Sequence, residues 1–145
     1  MNGMKRRVVV TGLGAVTPVG LNLADSWDAL LAGTSGIAEL TAFDPTDYSV
    51  RFAGEVTGFD PTDAMPGPSA RKVDRFTQLG MAAAVEAVED SRFEVTEENA
   101  LRCSVILASG IGGLIEIESQ HKRLTFRTLR QFNGLGPQDT RLRAV

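Results

Sequence analysis

Cys103-Ser104-Val105-Ile106-Leu107-Ala108-Ser109-Gly110-Ile111-Gly112-Gly113-Leu114-Ile115-Glu116-Ile117-Glu118 is the stretch on which the fold assignment turns. Val105 to Ala108 has no polar face, so it reads as a strand covered on both sides in a layered α/β domain. Three glycines within Gly110–Gly113 then allow a sharp turn and a close approach by another group. A helical pattern resumes at Leu114, Ile115 and Ile117. The unit is therefore strand, glycine turn, helix, and Cys103 opens the strand. In open α/β folds, sites gather at the carboxyl ends of strands, where this turn falls.

Working outward, Arg7-Val8-Val9-Val10-Thr11-Gly12 is a second buried-strand signal, short and β-branched. It leads into Gly12-Leu13-Gly14-Ala15-Val16-Thr17-Pro18-Val19-Gly20. A dinucleotide fingerprint needs glycine where Thr17 stands and a helix opening there. Pro18 biases Thr17 away from the α region, and no phosphate-gripping lysine follows. The loop is not read as a cofactor site.

Asp25 to Ala32 is a short helical pattern with Trp27, Leu30 and Leu31 as its buried stripe and Gly33 as its stop. Thr34-Ser35-Gly36-Ile37 reads as a turn. Arg51 to Val56 alternates, with Phe52, Gly54 and Val56 on one face, as in a half-exposed strand of a hairpin or sheet edge. The longest helical pattern runs from Ser69, its expected N-cap, to Ser91. Leu79 to Val85 contains no polar residue, so the helix is expected to be buried on more than one side, approached closely through Ala82, Ala83 and Ala84. Arg71, Lys72 and Arg75 fall in its expected first turn. There they oppose the macrodipole, and Asp74 offsets only part of this. Such a cluster is a solvated basic patch or a dock for an acidic partner.

Bulk properties bound the function. The chain has 145 residues, 43% hydrophobic content and a net charge of −3, a globular composition without the basic excess of a nucleic-acid binder. No apolar run reaches the roughly 20 residues that cross a bilayer, and glycines and Pro18 interrupt the N-terminal one, so neither a membrane segment nor a signal peptide is expected. One cysteine and one histidine, His121, leave no disulfide framework and no metal cluster. A cytoplasmic protein with no cofactor and no metal is the expectation.

Read together and in order, V-V-V-T-G-L-G-A-V-T-P-V-G (8–20), W-D-A-L-L-A-G-T-S-G-I (27–37), F-A-G-E-V (52–56), A-R-K-V-D-R-F-T-Q (70–78), V-T-E-E-N-A (95–100) and S-G-I-G-G (109–113) closely resemble the beginning of a β-ketoacyl-acyl carrier protein synthase, the elongating condensing enzyme of type II fatty-acid synthesis. Each piece alone is weak; the ordered set is specific. The resemblance covers about residues 5–124, the first third or so of a family member. It implies an α/β, partial thiolase-like layered fold, the first part of its N-terminal half and incomplete, from a family that forms homodimers.

The resemblance also implies an activity, a decarboxylating Claisen condensation between an acyl thioester and malonyl carrier protein. That chemistry needs a thiolate nucleophile, two histidines and backbone N–H donors for the oxyanion. The family's nucleophile lies in a T-A-C-type turn past the matched stretch, and its histidines lie further on. No catalytic residue is therefore assigned. Cys103 is read as a small buried hydrophobe and His121 as a surface helix residue. What carries over is peripheral: Ile111 matches a residue bordering the acyl pocket, and Arg71 and Lys72 match the basic pair that contacts the acidic acyl carrier protein.

Three departures stand out. Pro68 replaces a lysine often found just before the basic pair. Arg92 stands where the family usually has glycine, which would cost roughly 1–2 kcal/mol if the position is left-handed. Residues Thr125–Val145 do not follow the family's continuation and read as an irregular tail, as in a truncated or frameshifted reading frame. Two functions follow: an inactive piece of a condensing enzyme, or a non-catalytic carrier-protein-binding fragment. A nucleotide-binding α/β domain is a third, disfavoured by Thr17-Pro18.

Overall fold

The computed structural model describes residues 7–133, with side chains placed up to Phe126. It divides into two compact units, Met1–Ala108 and Ser109–Val145. In the first, helix α1 (Leu23–Leu31) is followed by strands β1 (Ile37–Glu39) and β2 (Phe52–Gly54), a 3-10 turn at Pro61–Asp63, the short helix α2 (Gly67–Ala70), the long helix α3 (Arg75–Ser91) and a second 3-10 turn at Ala100–Arg102. The second unit contributes α4 (Leu114–Asn133). This is a mixed, partial α/β arrangement.

Both ends of α1 follow from local chemistry. Asn22 caps it, its Oδ1 accepting from the Asp25 N–H at 2.8 Å, and Asp25 places a negative charge in the first turn. At the other end Gly33 takes φ +68°. The N–H of Gly33 donates to the Leu30 carbonyl and that of Thr34 to the Ala29 carbonyl, a Schellman closure that needs a residue without a Cβ penalty. The expected stripe is not covered, however: Trp27, Leu30 and Leu31 are exposed, and the buried residue of α1 is Ser26. The Ser26 hydroxyl donates to the Gly20 carbonyl at 3.1 Å and shares a 2.9 Å hydrogen bond with Thr17 Oγ1. It thus locks the Thr17–Gly20 turn onto the helix.

The strand expected around 51–56 is present as β2, paired antiparallel with β1 in the register Ile37↔Gly54, Ala38↔Ala53, Glu39↔Phe52. Pro18 packs against this ribbon. A Cβ on Gly36 would sit 2.7 Å from Pro18 Cβ, and one on Gly54 would sit 3.1 Å from Pro18 Cγ. Glu55 braces the long connection between the strands by accepting from Thr41 N–H, Thr41 Oγ1 and Ala42 N–H at 2.8, 2.7 and 3.0 Å. The Thr41 side chain, followed by the backbone donors, lowers the Glu55 pKa below its ordinary value. A depressed carboxylate stabilises the fold above its unfolded-state pKa, and that contribution is lost as pH falls through the folded-state pKa. The brace should therefore release only below the usual carboxylate range. In Thr41→Val, the Glu55 carboxyl titration followed by NMR should move up toward the ordinary value of about 4.3.

Three expectations about burial and boundaries are corrected. First, the apolar runs Val8–Val10 and Val105–Leu107 form no ladder among the described residues, and Val8, Val105 and Ile106 are 92%, 92% and 90% exposed. A strand without polar character needs a neighbour on each edge and cover on each face, and the described residues supply neither. Cys103 accordingly does not open a strand. It closes the 3-10 turn, half-buried, with its thiol donating to the Asn99 carbonyl at 3.2 Å.

Second, the pattern from Ser69 to Ser91 is two helices. Pro66 and Pro68 start α2 at Gly67, and Ser69 lies inside it. The chain breaks, and Asp74 caps α3, its Oδ1 accepting from the Arg75 N–H at 2.9 Å. No residue of α3 is fully buried, so its Leu79–Val85 segment is half-covered, not enclosed. Third, α4 runs through Thr125 to Asn133, so 125–133 is helical and not irregular, while 134–145 lie outside the described residues.

One sequence expectation is met in detail. Arg92, which closes α3, is left-handed at φ 52°, ψ 27°, and is the one such non-glycine residue among those described. Arg92→Gly should stabilise the chain by about 1 kcal/mol, the relief of Cβ strain less the extra freedom of glycine when unfolded. Urea denaturation of the two proteins side by side measures it, and an unchanged or lower midpoint would contradict the strain argument.

Candidate functional site

The basic pair sits on the break between α2 and α3. Ala70 is 2% exposed and anchors the end of α2. The Arg71 N–H donates to the Gly67 carbonyl at 3.2 Å and the Lys72 N–H to the Ser69 carbonyl at 3.0 Å. From α3, Gln78 Nε2 reaches back to the Ala70 carbonyl at 2.9 Å. The backbone carrying the pair is therefore tied on both sides, while Arg71 and Lys72 are themselves exposed. Neither side chain forms an ion pair among the described residues. Since the two cations precede α3 and do not occupy its first turn, they escape most of the macrodipole penalty expected for them. Arg75 does begin α3, but its guanidinium is occupied. It donates to the Phe59 and Val56 carbonyls at 3.3 and 3.2 Å and lies 4.8 Å over the Phe59 ring.

Ile111, the other residue singled out from sequence, lies in the second unit and is 75% exposed. Its turn is closed by Gly112 at φ 80°, whose carbonyl accepts from the Leu114 N–H at 2.9 Å. His121 is exposed on α4. Cys103 belongs to the first unit and His121 to the second.

The glycine loop has a different occupation from any cofactor site. Asp90 Oδ2 accepts from the Leu13 N–H at 2.9 Å. Glu86 accepts from the Ala15 N–H at 2.9 Å through Oε2, and from the Leu23 N–H at 2.8 Å through Oε1. The N–H groups that a phosphate would use are spent on carboxylates of α3, and an anion arriving there would meet like charge. Gly12 and Gly14 make this contact possible, because a Cβ on either would collide with the carbonyl of Ala87 or Ala83. Sequence reading did not single out Glu86 and Asp90. Their signal was present all the same, as two acids four residues apart just after the apolar Leu79–Val85 segment of the helix.

Two open grooves of about 200 and 430 Å³ flank the β1–β2 ribbon. Of their charged groups, Glu39, Glu55 and Arg75, the last two are held by the protein's own backbone and side chains, as described above. Among the described residues no cluster of histidine, cysteine, aspartate or glutamate is placed to hold a metal ion. No described helix is long and apolar enough to cross a membrane.

A family model described as the β-ketoacyl synthase N-terminal domain matches residues 5–137, which carries the similarity past residue 124. The 3-oxoacyl-[acyl-carrier-protein] synthase 2 of Vibrio cholerae is 55% identical over 120 residues, 83% of this chain and 29% of that protein. Its counterpart in Vibrio harveyi is 53% identical over the same share. That of Staphylococcus aureus strain COL is 42% identical over 119 residues. Among solved structures, one described as the ishigamide ketosynthase/chain length factor superposes with a TM-score of 0.55 at 33% identity, covering 65% of this chain and 23% of that one. The chain thus spans about three-tenths of the length of these curated relatives.

Proposed function

Because the chain belongs to the β-ketoacyl synthase family through its N-terminal domain, we propose that it carries the acyl-carrier-protein docking surface of a fatty-acid condensing enzyme, without turnover of its own. The observation that supports this most is the Arg71–Lys72 pair, exposed, free of intramolecular ion pairs among the described residues, and fixed by the Gly67, Ser69 and Ala70 carbonyls. A rigid cationic corner of this kind suits an acidic, phosphopantetheine-bearing protein, since docking then costs little ordering entropy. Arg71 and Lys72 steer the carrier. Ile111 supplies part of the wall of the acyl pocket in the assembled fold.

The condensation itself requires that malonyl thioester lose CO2 and that the resulting carbanion attack an enzyme-bound acyl thioester. Cys103 is a poor candidate for the acyl-bearing thiol: it is half-buried, donates to a carbonyl, and follows no T-A-C turn.

The functional test titrates the purified chain with acyl carrier protein by calorimetry at low and high salt. Salt-sensitive binding that weakens at least tenfold in Arg71→Glu/Lys72→Glu is expected. Binding that is indifferent to both charges and salt sinks the docking reading. In the same preparation, acyl and malonyl carrier proteins should give no condensation product, and turnover that vanishes in Cys103→Ala would refute the absence of catalysis.

A further inference from the structure

Helix α2 has only 4 residues, a single turn, and a helix that short needs support from outside itself. Its weak point is its end. The Ala70 carbonyl, the last of α2, has no intrahelical partner, and the Val73 carbonyl that leads into α3 has none either. No backbone N–H among the described residues donates to either of them. One side chain serves both. Gln78 Nε2 donates to the Ala70 carbonyl at 2.9 Å and makes a longer contact of 3.5 Å with the Val73 carbonyl. A primary amide nitrogen carries two N–H groups, so these two carbonyls take up its whole donor capacity. A carboxylate at this position would offer no donor, and an apolar side chain would leave both carbonyls unpaired.

The place of those carbonyls in the chain gives the contact its meaning. Residues 70 and 73 bracket Arg71 and Lys72, so Gln78 grips the backbone on either side of the basic pair. Ala70 is buried and Gln78 half-buried, whereas both cations are exposed. Gln78 itself is fixed in α3, a helix of 17 residues, and its own N–H donates to the Asp74 carbonyl at 3.1 Å. The grip therefore lends the order of the long helix to a break that has little of its own.

We propose that Gln78 is a positioning residue for carrier docking. Through the Ala70 and Val73 carbonyls it fixes the backbone from which Arg71 and Lys72 project, and it thereby sets the affinity for an acidic carrier protein. The inference rests on the docking reading of the basic pair. With the grip released, residues 71–73 sample several backbone conformations and docking must select one. Ordering even a single residue in this way weakens binding about fivefold.

The test compares the wild-type chain with Gln78→Met and Gln78→Asn. Methionine keeps the bulk and loses both donors; asparagine keeps the amide on a stem one methylene shorter. Each protein is titrated with acyl carrier protein by calorimetry, and amide hydrogen exchange is followed by NMR. Both variants should remain folded by circular dichroism and bind the carrier about fivefold more weakly. Exchange at Arg71 and Lys72, whose N–H groups donate to the Gly67 and Ser69 carbonyls, should quicken about tenfold, while exchange at Val85 and Val88 stays as in wild type. A merely structural role would instead quicken exchange along all of α3, and that result overturns the proposal. Loss of folding in both variants overturns it as well, by assigning Gln78 to stability alone. If wild type binds the carrier and a folded variant binds within twofold of it, the Gln78 role falls and the docking reading stands. If wild type does not bind, the docking reading falls and takes the Gln78 role with it.

Discussion

Gly14→Val should severely destabilise the first unit. A Cβ at this position collides with the Ala83 carbonyl and would sit 2.7 Å from the Ala87 N–H nitrogen, so the obstruction is helix backbone with no rotamer to turn aside. Accommodating it means lifting the loop off α3, which also breaks the Leu13–Asp90 and Ala15–Glu86 hydrogen bonds. Overpacking alone typically costs 1–3 kcal/mol, and losing the two anchors as well raises the expected loss to more than about 3 kcal/mol. That is a large share of the roughly 5–15 kcal/mol by which a domain is stable. Thermal or urea unfolding of the purified variant reads the effect directly. Gly110→Ala is the matching control, since nothing lies within 4 Å of its added Cβ. It should change stability by less than about 0.5 kcal/mol.

Glu86→Ala should destabilise by about 2–4 kcal/mol, because one half-buried carboxylate serves two backbone donors 8 residues apart in the chain, Ala15 and Leu23. Its removal leaves both N–H groups without their acceptor and unlinks the glycine loop from the start of α1. Glu86→Gln should fall between wild type and alanine: one oxygen is kept, while the other is replaced by an amide that points a donor at a donor. If alanine and glutamine variants unfold at the wild-type denaturant midpoint, the carboxylate is not holding the loop. The comparison also bears on the nucleotide-binding alternative, since the amides freed in the alanine variant are those a phosphate would need.

Local chemistry made several elements readable from sequence. Helix α1 was placed within two residues because Gly33 is a clear stop, and the alternation of Phe52, Gly54 and Val56 located β2. Arg92 was flagged as a strained helix end and is one. The α2–α3 break was missed because Ser69 and Asp74 are both competent caps, and the choice between them is made by Pro66 and Pro68 upstream and by Gln78 downstream. Burial was the larger error. Periodicity records which face of a segment is apolar, not whether anything lies against it, so Trp27, Val8–Val10 and Val105–Leu107 were read as covered. The basic pair was legible as a motif, but its separation from the first turn of α3 depends on the same break. The loop anchors escaped because their partners are backbone amides 63 to 77 residues away, which no local pattern encodes.

That separation has a consequence for how the chain is made. Leu13 cannot reach Asp90 until 77 further residues have been added. At the usual 5–20 residues per second, the amino-terminal segment waits about 4–15 s for its docking helix to be synthesised. During that interval Val8, Val9 and Val10 emerge tethered to a ribosome with nothing of their own to bind. The glycine loop is therefore a late joint in an early segment. Nascent-chain chaperones should engage this protein at Val8–Val10 before any later part of it exists.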